Sequence, residues 1–367
     1  MHNSSLTLQE KIGQLFFIGI PGEEFDSETK ELIQTVNPGG ICLFARNTKN
    51  AVRIRTLLEE VRKALPLEPF LSIDQEGGLV DRLRRVSEPL PSAGDISTGT
   101  PDDARALARI TADIIRTLGL NMNFAPVVDF NDNNSSSTVM KTQKRVFGNT
   151  KDDIVQYAGA YLDELQSRGI MGCLKHFPGI GSVVEDPHDG LPSIEKDFDE
   201  YASSDLFPFK QLFAENSVHG VMTGHVVFPN FDIQETDSNG KMLPSSLSKA
   251  FVSDLLRKKL GFKELALTDD LEMGAIVSTY GIGEAAVLSV EAGNDFVLIC
   301  NQPQSVIEGY KAVSDAVASG RISEERLECS LSNISKAREL LKNPLDFSES
   351  YLAELSMETR ELKNKLA

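Results

Sequence analysis

Eight short apolar runs, spread along nearly the whole chain, constrain its fold more than any other feature of the sequence. The runs are nearly continuous rather than alternating, which is typical of strands covered on both faces. Amphipathic stretches with helical periodicity separate them, at 102–118, 152–168, 248–260 and 302–319. Eight strands alternating with helices predict an α/β fold of the (β/α)8 TIM-barrel type. The runs are residues 16–20, 40–44, 70–74, 122–129, 169–177, 220–228, 265–270 and 295–300.

The domain organisation predicted from this pattern is simple. No Pro/Ser-rich linker divides the chain, so we expect one barrel domain over residues 1–342. Residues 343–367 are charged and contain one amphipathic stretch, which predicts a terminal helix packed on the barrel. Inside the barrel domain, Ser248 is predicted to cap the helix at 248–260, and Gly261 to end it.

Charge and cysteine usage exclude several classes of function. The net charge of −17 argues against binding to nucleic acid and to anionic membrane surfaces. No apolar stretch approaches the ~18 residues of a membrane helix, and the N-terminus lacks a secretory signal, so we expect a cytoplasmic protein. A chain that has lost its leader would look the same. We interpret four widely spaced cysteines as small buried side chains: Cys42, Cys173, Cys300 and Cys329.

Charged and polar side chains follow the predicted strands at the points where they end. Because a TIM barrel keeps its chemistry at that end, we expect an active site there. For the Lys175-His176 segment taken alone, the alternative interpretation is a core histidine with all its hydrogen bonds made, followed by an ordinary surface loop. His225 is as compatible with a core role as with ligand contact. The residues that converge are Asp74, Arg82, Asp129, Arg145, Lys175, His176, His225, Asp269 and Asp270.

These side chains suit a polyhydroxylated ligand, because carboxylates accept from hydroxyl groups while lysine, histidine and arginine donate to oxygen. A carboxylate in this position can also attack an anomeric carbon or stabilise an oxocarbenium ion. The sequence contains no P-loop, no strand-linked GxGxxG, no HExxH, no EF-hand loop and no GxSxG elbow. We therefore predict no cofactor and no metal.

The segment KHFPGIG at 175–181, followed by DPH at 186–188, carries a resemblance to a known family. Together with SIDQEGG, NFAPVVDFN, VMTGHVVFP and LTDDLEMGAI, in this order, it resembles the barrel domain of glycoside hydrolase family 3, in its bacterial β-N-acetylglucosaminidase branch. The resemblance implies a retaining β-N-acetylglucosaminidase with Asp269 as nucleophile, His188 as general acid/base and Asp186 orienting His188. It also implies a subsite for the non-reducing sugar built from Asp74, Arg82, Arg145, Lys175 and His176.

Three positions depart from the pattern of the family. Ile180 stands where the KHFPGHG segment of the family has its second histidine, and Leu79 stands where the family has an arginine. Pro187 stands where the family has serine between the two dyad residues, which restricts Asp186 to extended conformations. These changes leave the predicted catalytic residues in place but affect the loop and the expected leaving group.

Several alternatives remain open at this stage. Adjacent Asp269 and Asp270 also admit substrate-assisted catalysis, in which the acetamido group of the substrate attacks. Other activities of the family, as β-glucosidase or glycosyl phosphorylase, and a non-catalytic sugar-binding barrel are further hypotheses. For a cytoplasmic member of this branch the resemblance implies peptidoglycan turnover products as substrates. The expected partner is thus a small saccharide, and the expected state is a monomer.

Overall fold

A closed barrel of parallel strands forms the centre of the protein. The computed structural model describes residues 6–130, 139–183 and 191–367. The strands are β1 (Phe16–Gly19), β2 (Gly40–Leu43), β3 (Phe70–Ile73), β4 (Gln75–Gly77), β5 (Val80–Asp81), β6 (Met122–Asn123), β7 (Met171–Gly172), β8 (Leu174–Phe177), β9 (Gly220–Thr223), β10 (Leu265–Asp270) and β11 (Phe296–Ile299). Strands β4 and β5 form a separate antiparallel hairpin after β3.

The sheet order shows that the barrel closes. Its strands follow the order β7-β6-β3-β2-β1-β11-β10-β9-β8, and each neighbouring pair is parallel. Strands β7 and β8 are separated only by Cys173, so the two ends of this order belong to one chain segment. Counting that segment once gives eight barrel strands, in chain order, in the part of the chain that the structure describes. The predicted (β/α)8 barrel is therefore confirmed.

Helices cover the barrel on the outside. They are α1 (Leu8–Gly13), α2 (Ser27–Val36), α3 (Ala51–Ala64), α4 (Ala93–Ile96), α5 (Pro101–Leu118), α6 (Val139–Thr142), α7 (Lys151–Ser167), α8 (Phe198–Ser203), α9 (Phe207–Glu215), α10 (Gly274–Ala292), α11 (Pro303–Ala318), α12 (Glu324–Arg338) and α13 (Glu349–Leu366). A short 3₁₀ turn (Ser245–Leu247) and a π-helix (Ala250–Lys259) lie between β9 and β10. Cys329, predicted as buried, is exposed on α12.

The sixth strand, predicted over 220–228, ends at Thr223, so His225 follows it. Two further local predictions were wrong for identifiable reasons. The fourth strand ends at Asn123 rather than at Asp129, because Pro126 has no N–H to donate and interrupts the regular ladder. Single backbone hydrogen bonds still join the following residues to their neighbours, among them one from the Val128 N–H to the Lys175 carbonyl at 2.9 Å. Ser248 does not cap the next helix through its side chain, since its hydroxyl donates to Oε2 of Glu235 at 2.6 Å. Gly261 does follow the end of that helix, with a φ of +71° that favours glycine.

An aromatic layer fills the barrel below the ends of the strands. The ring of Phe17 lies 5.3 Å from the rings of both Phe124 and Phe296, and Phe296 lies 5.4 Å from Phe70. Gly40 leaves room for this layer, because a Cβ there would lie 2.5 Å from the Phe17 ring. Tight packing of rigid rings gives the site above it a fixed floor.

The last helix, α13, lies against α5 on the outside of the barrel. Leu352, Leu355 and Leu362 are buried there, and the Tyr351 hydroxyl donates to Oδ2 of Asp113 at 2.9 Å. Among the described residues, each helix is too short or too polar to cross a lipid bilayer.

Candidate active site

A cavity of about 330 Å³ opens where the barrel strands end. Asp269, the predicted nucleophile, and all five residues predicted to hold the sugar line it. Asp186 and His188 lie outside the described residues. The polar residues around the cavity are Asp74, Glu76, Arg82, Arg145, Lys175, His176, Asp269 and Asp270. A surface groove of about 650 Å³ lies elsewhere, beside His219, which precedes β9 at the opposite end of the barrel.

One wall of the cavity is a chain of alternating charges. Nζ of Lys175 lies 2.6 Å from Oδ1 of Asp74 and 2.6 Å from Oε1 of Glu76. Arg145 donates two parallel hydrogen bonds of 2.8 Å to the Glu76 carboxylate. Burial by itself would lower the pKa of Lys175, but the two carboxylates raise it. The ammonium therefore stays charged and is held beside Asp74.

Glu76 is a site residue that the sequence reasoning missed. Burial would raise its pKa, yet Lys175 and Arg145 lower that pKa to about 2. An ionised carboxylate between two cations holds both side chains in place. Its position two residues after Asp74, in the hairpin strand β4, was the available signal, because side chains two apart on an extended segment point to the same side.

His176 is held by Asp129, which follows strand β6. Oδ2 of Asp129 lies 2.7 Å from Nδ1 of His176, while its Oδ1 accepts from the backbone N–H groups of His176 at 3.0 Å and Ile180 at 2.9 Å. A carboxylate oxygen only accepts, so Nδ1 carries the proton and Nε2 points to the cavity. Asp129 thus fixes both the ring and the start of the following loop.

Adjacent Asp269 and Asp270, at the end of β10, have opposite protonation behaviour. Burial would raise the pKa of Asp269, but its polar surroundings, among them the charge of Lys175 and the N–H of Asp270 2.8 Å from Oδ1, lower it. Burial raises the pKa of Asp270 to about 7. Oδ1 of Asp270 accepts from the N–H groups of Glu272 and Cys300. Asp269 is therefore the ionised carboxylate of the pair, and Asp270 supports the end of the barrel.

His225 has a structural role. The ring is buried, its Nε2 lies 3.1 Å from the Asp270 carbonyl and its Nδ1 lies 2.6 Å from the Ser246 hydroxyl. Burial lowers the pKa of His225, which favours the neutral ring with the proton on Nε2. Of the two sequence interpretations, the satisfied core histidine is the one that these contacts match. By holding the Asp270 carbonyl, the ring helps to position the Asp269–Asp270 segment.

Arg82 offers unused hydrogen-bonding capacity to the cavity. Its guanidinium carbon lies 5.9 Å from the centre of the Phe44 ring, and its buried Nε has no hydrogen-bond partner among the described residues. A buried donor left unpaired is costly unless a ligand or water satisfies it. Two of the three departures from the family pattern lie nearby: Ile180 lines the cavity, and Leu79 is 65% exposed at the tip of the β4–β5 hairpin. Pro187 lies outside the described residues.

The residues that flank the Asp186–His188 segment are firmly attached to the barrel. The Tyr201 hydroxyl donates to the Gly179 carbonyl at 3.0 Å. Oδ1 of buried Asp205 accepts from the Ser182 N–H at 3.1 Å, and its Oδ2 lies 2.7 Å from Nζ of Lys196. Both ends of the segment are thereby held by the same carboxylate.

Comparison with known proteins relates this arrangement to a family of sugar-cleaving enzymes. The sequence model of the family described as "Glycosyl hydrolase family 3 N terminal domain" matches residues 7–337 of this chain. The "Beta-hexosaminidase" of Psychromonas ingrahamii is 32% identical over 296 residues, which are 79% of this chain and 83% of that protein. The "Beta-hexosaminidase A" of Pseudoalteromonas piscicida is 31% identical over 353 residues, and this chain spans only 56% of its length.

A solved structure gives the same relationship. The glycoside hydrolase family 3 β-N-acetylglucosaminidase from Paenibacillus sp. str. FPU-7 superposes with a TM-score of 0.89 at 33% identity. The match covers 99% of this chain and 68% of the Paenibacillus protein.

Proposed function

Because the chain belongs to glycoside hydrolase family 3, we propose that it is a retaining β-N-acetylglucosaminidase that removes terminal β-linked N-acetylglucosamine. The observation that carries the proposal is the ionised Asp269 beside a cavity lined with sugar-binding groups. The names borne by the Psychromonas and Paenibacillus relatives support the same activity. The size and polarity of the cavity suit one sugar ring with its substituents.

The first chemical step is assigned to Asp269. Its carboxylate attacks the anomeric carbon, the glycosidic C–O bond breaks, and a glycosyl-enzyme ester forms. The lowered pKa keeps this carboxylate ionised at neutral pH, as a nucleophile requires. Asp270, whose pKa is about 7 and whose Oδ1 is engaged by backbone N–H groups, is the poorer candidate for this role.

The subsite for the sugar divides into groups that contact the ligand and groups that position them. Asp74 and the unprotonated Nε2 of His176 are suited to accept from sugar hydroxyls, and Lys175 and Arg82 to donate to sugar oxygens. Arg145 directs both of its bonds to Glu76 and acts chiefly by holding that carboxylate, although it also lines the cavity.

Protonation of the leaving oxygen is assigned to His188, with Asp186 orienting its ring. In the second step the neutral imidazole removes a proton from the attacking water, and the ester is hydrolysed with overall retention. A histidine with an ordinary pKa near ~6.5 can act as both acid and base near neutrality. This assignment rests on the match of DPH at 186–188 to the pattern of the family.

The proposed substrates are fragments released in peptidoglycan turnover, met in the cytoplasm by a monomeric enzyme. The family resemblance supports this proposal.

The decisive experiment compares two chromogenic substrates that differ only at C2. We expect turnover of nitrophenyl N-acetyl-β-glucosaminide and a much lower kcat/KM for nitrophenyl β-glucoside, at equal rates with and without phosphate. Preference for the glucoside would replace the proposed activity with β-glucosidase. Acceleration by phosphate, with sugar phosphate as product, would replace hydrolysis with phosphorolysis. A lack of turnover on both would leave a sugar-binding barrel.

A further inference from the structure

Two cysteine thiols meet in the wall of the active-site cavity. Cys42 lies in β2 and Cys300 directly follows β11, and both line the cavity although each is at most 2% exposed. The side chain of Cys300 neighbours that of Cys42. The proposed glycosidase chemistry uses neither group.

The thiols meet because the strand between them carries no side chain at that level. Strand β1 lies between β2 and β11, and its Gly19 is paired with Cys42. A Cβ on Gly19 would lie 1.9 Å from the Cys300 carbonyl oxygen, so the backbone there tolerates only glycine. The side chains of Cys42 and Cys300 therefore reach across Gly19 towards each other.

A disulfide is a poor fit to this arrangement. Residues on two strands separated by a third lie roughly two strand spacings apart, about 9–10 Å along the sheet. A disulfide needs Cα atoms about 4.4–6.8 Å apart. The rigid barrel would have to deform to close that gap. A bridging ion has a longer reach, since two metal–sulfur bonds of about 2.3 Å join sulfurs roughly 4–5 Å apart.

We propose that Cys42 and Cys300 form a two-thiolate binding site for a soft, thiophilic metal ion of the Cu(I), Ag(I) or Hg(II) class. On binding, each thiol loses one proton to solvent and two metal–sulfur bonds form, with no change in oxidation state. Among the described residues, no group of three or more His, Cys, Asp or Glu side chains is arranged to hold a metal. The pair therefore fits ions that accept two sulfur ligands better than ions that demand four.

The chemistry of the thiols narrows the class of ion further. Both thiols are at most 2% exposed, and burial disfavours the charged thiolate. Only an ion with a strong preference for sulfur displaces such protons, and its binding tightens as the pH rises. The site also touches the proposed catalytic centre, because the N–H of Cys300 donates to Oδ1 of Asp270 at 3.3 Å. A bound ion would occupy space in the sugar cavity.

The test measures retention of mercuric ion, a readout that does not depend on the proposed enzyme activity. All variants are made in the full chain carrying Cys329→Ser, which removes the exposed thiol. The protein is mixed with mercuric chloride, passed through a column in excess β-mercaptoethanol, and its mercury content is measured. A pair of fixed thiols should retain about one mercuric ion per chain in competition with the monothiol β-mercaptoethanol. The reason is that the second mercury–sulfur bond forms at high effective concentration.

Cys42→Val and Cys300→Ala should each lose this retention by at least about 10-fold. Cys173→Ala is the matched control, since Cys173 is equally buried but does not line the cavity; it should keep the ion. Circular dichroism and thermal unfolding verify that each variant is folded. Loss of retention in Cys173→Ala, retention in either cavity variant, or none in the Cys329→Ser protein itself would overturn the proposal. The last result would leave the pair as buried packing only.

Discussion

Nε2 of His176 lies 3.9 Å from Oδ2 of Asp269, on the side of the ring opposite Asp129. The imidazole therefore stands between two carboxylates, one structural and one facing the cavity. Asp129 accepts a hydrogen bond from Nδ1–H, which leaves Nε2 as an acceptor. The hydrogen-bonding character of Nε2 is therefore set by a residue that does not line the cavity. The geometry links buried Asp129, which follows β6, to the proposed nucleophile.

Replacing Asp129 with asparagine tests this link. The amide NH₂ can donate to Nδ1, which would move the ring proton to Nε2 and change what His176 offers the sugar. We expect kcat/KM to fall at least about 10²-fold, equivalent to roughly 2.7 kcal/mol. Asp113→Asn, which changes a buried carboxylate on α5 outside the cavity, is the matched control. Steady-state kinetics equal to wild type in Asp129→Asn would show that the ring orientation is immaterial.

Glu76→Gln should destabilise the protein in a pH-dependent way. Since Lys175 and Arg145 lower the pKa of Glu76 from 4.5 to about 2, its ionised form stabilises the fold above pH ~4.5, and this contribution is lost as the pH falls through about 2. The variant should therefore lose about 3 kcal/mol of unfolding free energy near neutrality.

Urea unfolding at pH 6 and at pH 3.5 provides the measurement for Glu76. The gap between wild type and Glu76→Gln should be wide at pH 6 and narrower at pH 3.5. A gap that is constant over this range, or that widens in acid, would mean that the carboxylate is not held ionised by its two cations.

Lys196→Met tests the attachment of the loop that carries Asp186 and His188. The change leaves Asp205 buried without this cation, which we expect to cost about 3–5 kcal/mol. Adding Asp205→Asn should recover part of the loss, because the amide oxygen still accepts from Ser182. Lys49→Met, which breaks the more exposed pair with Glu23, should cost less than about 1 kcal/mol. Equal losses for Lys196→Met and Lys49→Met in urea unfolding would refute the anchoring role.

The barrel could be predicted from sequence because its strands are covered on both faces and read as continuous apolar runs. The end of β10 at Asp270 was predicted to the residue, since charged side chains follow an apolar run there. The fourth strand was predicted too long because the residues after Asn123 remain mostly apolar and buried. What ends the strand there is the loss of the regular hydrogen-bond ladder. An apolar run predicts that a segment is buried, but it does not predict where the pairing between strands stops.

The candidate site, too, could be predicted from the sequence only in part. Residues at strand ends, such as Asp74 and Lys175, could be grouped because the fold itself brings those ends together. Glu76 was missed because its importance comes from two cations distant in sequence, Lys175 and Arg145. The contact between Cys42 and Cys300 likewise depends on the strand between them. Such relationships follow from three-dimensional packing rather than from local pattern.

His188→Ala tests the assignment of the general acid. We expect rates to fall strongly for substrates with poor leaving groups and little for activated phenols, because only the former need protonation. The measurement is kcat/KM across a series of aryl N-acetyl-β-glucosaminides, plotted against the pKa of the phenol. The slope should be steeper in the variant than in the wild type. Equal losses across the series would remove His188 from the acid role.

The central claim is that Asp269 forms the covalent bond to the sugar, and trapping that bond tests it most directly. A fluorinated slow substrate is incubated with the protein, which is then digested and sequenced by mass spectrometry. We expect the label on Asp269 in the wild type and in Asp270→Asn, whose amide oxygen can still accept from the N–H groups of Glu272 and Cys300. Asp269→Asn should remain folded, take no label and lose turnover. A label on Asp270, or no adduct together with cleavage that requires the acetamido group, would contradict the account.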